Sequence, residues 1–174
     1  MTHPIVNIAD LEYIAWGKGN ERPGAGNAPD KYIAKLGYVA PKIGAQKLGY
    51  NITILPPGKA AFPAHSHRVN EEMFFVLEGQ GEVRIGKTKY PVKQGDFIAC
   101  PPGGPDTAHQ IYNNSAAELK FLAVSTLMSP EIAEYPDSGK TGFYHMREDA
   151  DGKPARWGHI TRTDGTAAPY WDGE

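Results

Sequence analysis

At 174 residues, 40% hydrophobic and 22% charged, the chain has the make-up of one soluble globular domain. Its formal charge of −2 comes from interspersed signs, which leaves no basic stripe for nucleic acid and no polybasic run for an anionic membrane. Its 20 Gly and 15 Pro are spread along the chain rather than repeated, which favours many short strands joined by turns over a helical bundle.

The first residues lack a basic start followed by an apolar core, and no apolar stretch reaches the length of a membrane span. Cys100 stands alone, so no internal disulfide is expected. A cytoplasmic protein follows from these features. Without export, the glycosylation patterns at Asn51-Ile52-Thr53 and Asn113-Asn114-Ser115 carry no weight.

Ile5-Val6-Asn7-Ile8 reads as a short strand that adds to an edge or to a partner chain, and Asn20 to Pro29 as a Gly/Pro/Asn loop. From Tyr32 the pattern changes. Lys35-Leu36-Gly37 and Lys47-Leu48-Gly49 mark two strands around a turn containing Pro41. Tyr50 to Leu55 alternates and stops at Pro56-Pro57-Gly58, and Pro63 holds Phe62 to His67 extended. Glu72 to Leu77 is strand-like, and Gly79-Gln80-Gly81 turns it back into Glu82 to Ile85. Lys89 to Val92, Asp96 to Cys100, His109 to Tyr112 and Leu119 to Ser125 complete a series of short strands, the pattern of a sandwich or barrel. From Ser129 the periodicity is lost. Trp157, Tyr170 and Trp171 in that loop-like tail point to packing against the body or another subunit.

The chemistry centres on His65-Ser66-His67. Side chains alternate along an extended chain, so His65 and His67 face one way and Ser66 the other. Such a pair binds a metal only if further ligands arrive from a neighbouring strand. His109 is a candidate, and so is a carboxylate at Glu71 or Glu72. Those two alternate faces, so only one looks inward, and both faces of the following strand are apolar. Three imidazoles and one carboxylate complete a shell for a divalent transition metal.

Gly58-x6-His65-x-His67-x4-Glu72-x6-Gly79 and Gly95-x5-Pro101-x-Gly103-x5-His109-x3-Asn113 resemble the two motifs of the cupin superfamily, over roughly residues 50 to 127. The resemblance implies an all-β, double-stranded β-helix (a jelly-roll-like barrel) with N- and C-terminal extensions. It implies His65, His67, Glu72 and His109 as metal ligands, with Gly79, Gly95, Pro101 and Gly103 as turn residues. Spacing to Gly79 selects Glu72 over Glu71. The first motif carries one residue more than usual before His65. The second carries the longer stretch Gly104 to Ala108 before His109, which either moves that histidine off the metal or adds a lip to the pocket. The chain also resembles small bacterial cupins with an N-terminal extension and a Tyr-Pro-Asp-Ser-Gly-Lys segment after the barrel. The expected layout is a single domain over 1–174, with a barrel core at about 32–127 and extensions at 1–31 and 128–174. A homodimer is expected.

Asp137-Ser138-Gly139-Lys140-Thr141 imitates the end of a phosphate-binding loop but lacks its leading glycine and its strand-helix context, so it reads as a turn. Cys100 reads as a buried small hydrophobe. Gln110 and Tyr112 should face outward, while Phe62, Phe74 and Ile111 should pack in the core. Zn, Ni, Fe, Mn or Co all suit the donor set. An open coordination position would serve a dioxygenase, isomerase or lyase acting on a small metabolite. Capture without turnover would make a small-molecule-binding protein, and closed tetrahedral Zn a structural brace.

Overall fold

The computed structural model describes residues 3–20, 27–148 and 154–164. Its strands in chain order are β1 (Ile14–Gly17), β2 (Ile33–Tyr38), β3 (Leu48–Leu55), β4 (Ser66–His67), β5 (Glu72–Glu78), β6 (Gln80–Ile85) and β7 (Thr88–Lys93). There follow β8 (Phe97–Cys100), β9 (His109–Tyr112), β10 (Leu119–Thr126), β11 (Glu131–Tyr135), β12 (Lys140–Glu148) and β13 (Pro154–Arg162). The Pro41 turn is realised as one helical turn, α1 (Ala40–Ile43), with Pro41 in its first positions and Gly44 closing it in the left-handed conformation.

The strands pair antiparallel in three sheets: β1-β2-β3-β10-β5-β8, β7-β6-β9 and β13-β12-β11-β4. The two smaller sheets meet where the backbones of His65 and His109 exchange hydrogen bonds of 3.1 and 2.8 Å. They thus form one layer facing the six-stranded sheet, the double-stranded β-helix. Its core takes Leu36, Leu55, Phe74, Leu119 and Phe121 from one layer and Val83, Val92 and Ile111 from the other. Leu55 and Leu119 are fully buried, each contributing roughly 2–3 kcal/mol of transfer free energy. Period-two burial is clearest in β5, where Phe74 and Val76 point inward and Met73, Phe75 and Leu77 are half-buried.

Asn113, buried after β9, staples two segments. Its amide nitrogen donates to the carbonyls of Leu55 and Ala117 (both 2.8 Å), and its oxygen accepts from the Ser115 amide. Gly79 links β5 to β6 at φ +82°, and Gly95 precedes β8 at φ +92°. A Cβ on Gly79 would lie 2.4 Å from the carbonyl oxygen of Glu118, whereas one on Gly95 would meet nothing.

Two expectations are corrected. Ile5 to Ile8 is not a strand. The Asn7 side chain accepts from the Ala9 amide at 2.9 Å and starts a 3-10 turn over Ile8–Asp10, and Ile5 is exposed rather than packed on a sheet. The chain after Ser129 is not a loop: β11, β12 and β13 form a sheet with β4. Its burial runs against hydropathy. In β11 the buried residues are Glu131 and Ala133, while Ile132 is on the exposed side, as are Phe143, Met146 and Ile160 further on. Trp157, on β13, lies partly exposed against His145 at 5.1 Å. Tyr170 and Trp171 lie outside the described residues, as does most of the Asn20–Pro29 loop. Of the Asp137–Thr141 segment, Asp137 to Gly139 form a turn, with a 3-10 turn over Pro136–Ser138 and Gly139 left-handed, and Lys140 and Thr141 open β12. Among the described residues, no helix is long and apolar enough to cross a membrane.

Candidate metal centre

His65 directly precedes β4 and His67 ends it, Glu72 opens β5, and His109 opens β9. The backbone bridge between His65 and His109 sets their rings 4.9 Å apart, and His67 lies 5.0 Å from His65. All four residues offer one ligand atom within 4.8 Å of the others, so the cluster could hold a metal ion. The stretch from Gly104 to Ala108 does not move His109 away. It folds into a turn, with Gly103 N–H donating to the His67 carbonyl (2.7 Å) and Gly86 N–H to the Ala108 carbonyl (2.7 Å). Glu71 is exposed and stands apart from the cluster.

The three Nε2 atoms converge on a single oxygen. Oε2 of Glu72 lies 2.9 Å from His109, 3.6 Å from His67 and 3.9 Å from His65. His109 Nε2 is in hydrogen-bond contact with it. His65 differs, because its Nδ1 is 2.9 Å from the Pro63 carbonyl, which can only accept. The proton therefore sits on Nδ1, and Nε2 turns a lone pair toward the carboxylate. Burial, reinforced by neighbouring His109, lowers the His65 pKa to about 4 against the pull of Glu72, so this ring is neutral near pH 7. Burial pushes Glu72 upward, but the hydrogen bond with His109 and the nearby His67 and His65 rings outweigh it and hold its carboxyl well below the usual carboxylate range. A lone pair facing an anion is repulsive unless a cation lies between them. A divalent metal there would meet three imidazole nitrogens and one carboxylate oxygen, so the donor set fits.

Aromatic rings frame the cluster. Tyr135 stacks on His65 at 6.0 Å, its hydroxyl 3.0 Å from that of Tyr144. Phe62 stands edge-on to His65 at 6.4 Å and leans on Trp16, whose indole N–H donates to the Ala61 carbonyl at 3.0 Å. Phe62 is thus a partly exposed rim residue rather than core, whereas Phe74 and Ile111 are buried as expected. Gln110 and Tyr112 point outward, Gln110 donating to the Phe62 carbonyl at 2.7 Å. His65, His67 and Glu72 are partly exposed and His109 is buried, so the cluster lies within reach of a small molecule. Cys100, opposite Glu72 in the ladder, is buried, and burial followed by the Glu72 charge pushes its thiol up to about 12. It is no nucleophile.

Three neighbours are invisible to sequence reasoning. Tyr135 reaches His65, and Trp16 reaches Phe62 at the rim of the cluster, both from strands outside the motif region. Glu131 is the third, a buried carboxylate 3.4 Å from Nδ1 of His67. A single acid between Pro130 and Ile132 announces nothing in the sequence.

The family described as "Cupin domain" matches residues 51–125. An uncharacterized protein of Methanocaldococcus jannaschii is 38% identical over 72 residues, covering 41% of this chain and 54% of that protein. The oxalate-binding protein of Thermotoga maritima is 32% identical over 74 residues, covering 42% of this chain and 58% of that one. The chain therefore spans little more than half the length of either relative. A crystal structure from Silicibacter pomeroyi, described as a sugar phosphate isomerase from a cupin superfamily, superposes with a TM-score of 0.73 at 27% identity, covering 96% of this chain and 98% of that one.

Proposed function

The chain belongs to the cupin superfamily, and from that premise we propose that it is a metal-dependent enzyme of dioxygenase, isomerase or lyase type acting on a small, oxygen-rich metabolite. The observation that carries this reading is the convergence of three imidazole Nε2 atoms on one Glu72 oxygen. His65, His67 and His109 would hold the ion through Nε2 and Glu72 through its carboxylate. Bound Zn, Ni, Fe, Mn or Co would polarise a substrate oxygen as a Lewis acid or serve as a redox centre. Around it, Tyr135 and Phe62 flank the His65 ring and shield it from water. Glu72, its carboxylate held ionised, would bring a negative oxygen to the ion rather than act as a base. The names of two relatives, an oxalate-binding protein and a sugar phosphate isomerase, support small oxyanion-bearing ligands.

A second reading, capture of such a ligand without turnover, rests on the oxalate-binding relative. Metal analysis of protein supplied with Fe, Mn, Ni and Zn tests the shared premise. We expect about one ion per chain in the native protein and none in a His65→Ala/His67→Ala variant. Native protein that takes up none of the four would end the proposal. Ligands that bind the loaded protein but are never converted would move it to the second reading.

A further inference from the structure

We propose that Glu131, on the strand after the barrel, is a positioning residue that sets His67 and Glu72 for metal binding before any metal arrives. The inference rests on the metal-centre reading above. His67 and Glu72 are separated only by Arg68, Val69, Asn70 and Glu71, so the shape of that loop decides how the two ligands meet. Glu131 holds it. Its Oε1 accepts the backbone N–H groups of Arg68 (3.1 Å), Val69 (3.2 Å) and Ile132 (2.8 Å). Its Oε2 accepts the backbone N–H of Asn70 (2.8 Å) and the Asn70 side-chain amide. The one remaining loop amide, of Glu71, donates to Thr126 Oγ1 at 3.0 Å. Every N–H between the two ligands thus ends on the segment from Thr126 to Ile132, that of Arg68 being shared between Glu131 Oε1 and the Ile132 carbonyl at 2.9 Å.

A carboxylate that is 4% exposed is costly to bury unless its lone pairs are filled. Here successive loop amides fill them, as in an anion-binding nest. The same Oε2 lies 3.4 Å from Nδ1 of His67. An anion behind Nδ1 favours the tautomer with the proton there, which leaves the Nε2 lone pair facing Glu72 and the metal position. Outer carboxylates do this for many metal-bound histidines. Glutamine cannot substitute, because its NH2 would face N–H donors on one side of the nest.

The test compares Glu131→Gln with Thr126→Val, which loosens the same loop without touching His67. Metal affinity is read by competition with a chelating dye, and the His67 tautomer by imidazole nitrogen shifts in metal-free protein at about pH 8. Glu131→Gln should weaken metal binding by roughly 10- to 100-fold and shift His67 toward the other tautomer. Thr126→Val should leave affinity within a few-fold of wild type and the tautomer intact. Wild-type affinity or an unchanged tautomer in Glu131→Gln overturns the inference. So does an equal loss of affinity in Thr126→Val, which would make Glu131 a loop brace only. Should Glu131→Gln fail to fold, Glu131→Asp keeps the charge but loses a methylene of reach. A smaller loss in the same direction is expected, and none at all would overturn the claim. If the wild type binds no metal, the functional reading fails by itself, and the tautomer still decides the role of Glu131.

Discussion

Glu72 and Glu71 are adjacent in sequence but chemically unlike. The oxygen of Glu72 is shared by three imidazoles, while Glu71 is exposed and only its backbone is engaged, by Thr126. Glu72→Gln should therefore weaken metal binding by at least roughly 100-fold, beyond the usual cost of losing an outer partner. Glu71→Gln should change it less than about two-fold, as expected for an exposed charge. Dye competition measures both, and the reverse order would mean that the wrong carboxylate has been assigned. The alternation of β5 narrowed the choice to one of these two residues but could not decide it, because both faces of that strand are apolar. The motif spacing to Gly79 picked the residue that the structure brings to the histidines. Cys100 was legible for a simpler reason: an apolar strand ending in Pro101 buries its last small residue whatever surrounds it. Glu131 was not legible, since its role is defined by partners more than sixty residues away.

At the scale of elements, the turns between barrel strands carry specific backbone demands. Gly79 and Gly95 both adopt left-handed φ, but only at Gly79 would a side chain collide with backbone, at Glu118. Gly95→Ala should cost about 1–2 kcal/mol from conformational strain alone. Gly79→Ala should cost that and a steric displacement of the β10 approach, for a total of roughly 3 kcal/mol or more. Urea denaturation with fitted midpoints separates them, and equal losses would mean that the chain relaxes freely around Gly79. Strands such as β5, β8 and β10 were readable because their buried residues are apolar and alternate. β11 to β13 were missed because they break that rule. They bury Glu131 and Ala133 and leave Ile132, Phe143 and Ile160 on the exposed side, so the hydropathy pattern carries no strand signal.

Across the whole molecule, the four candidate ligands draw on all three sheets. His67 belongs to the sheet of β11 to β13, Glu72 to the six-stranded sheet and His109 to the sheet of β6 and β7, while His65 bridges the last to the first. A bound ion would cross-link the layers rather than brace one hairpin. Anything that binds only the folded state stabilises it by about 2.7 kcal/mol at a hundred times its dissociation constant. For a chain of this size, that is a rise of roughly 5–10 °C in melting temperature. His67→Ala should abolish the rise. The cross-link also predicts where the gain is felt. Amide exchange should slow at Ala133 and Glu134, which pair with His67 and Ser66, as well as along β5 and β9. Hydrogen-exchange measurements with and without Mn or Zn read all of these amides together. Protection confined to β5 and β9 would show that the sheet built after the barrel is not mechanically joined to the centre, even though its Glu131 touches the back of His67.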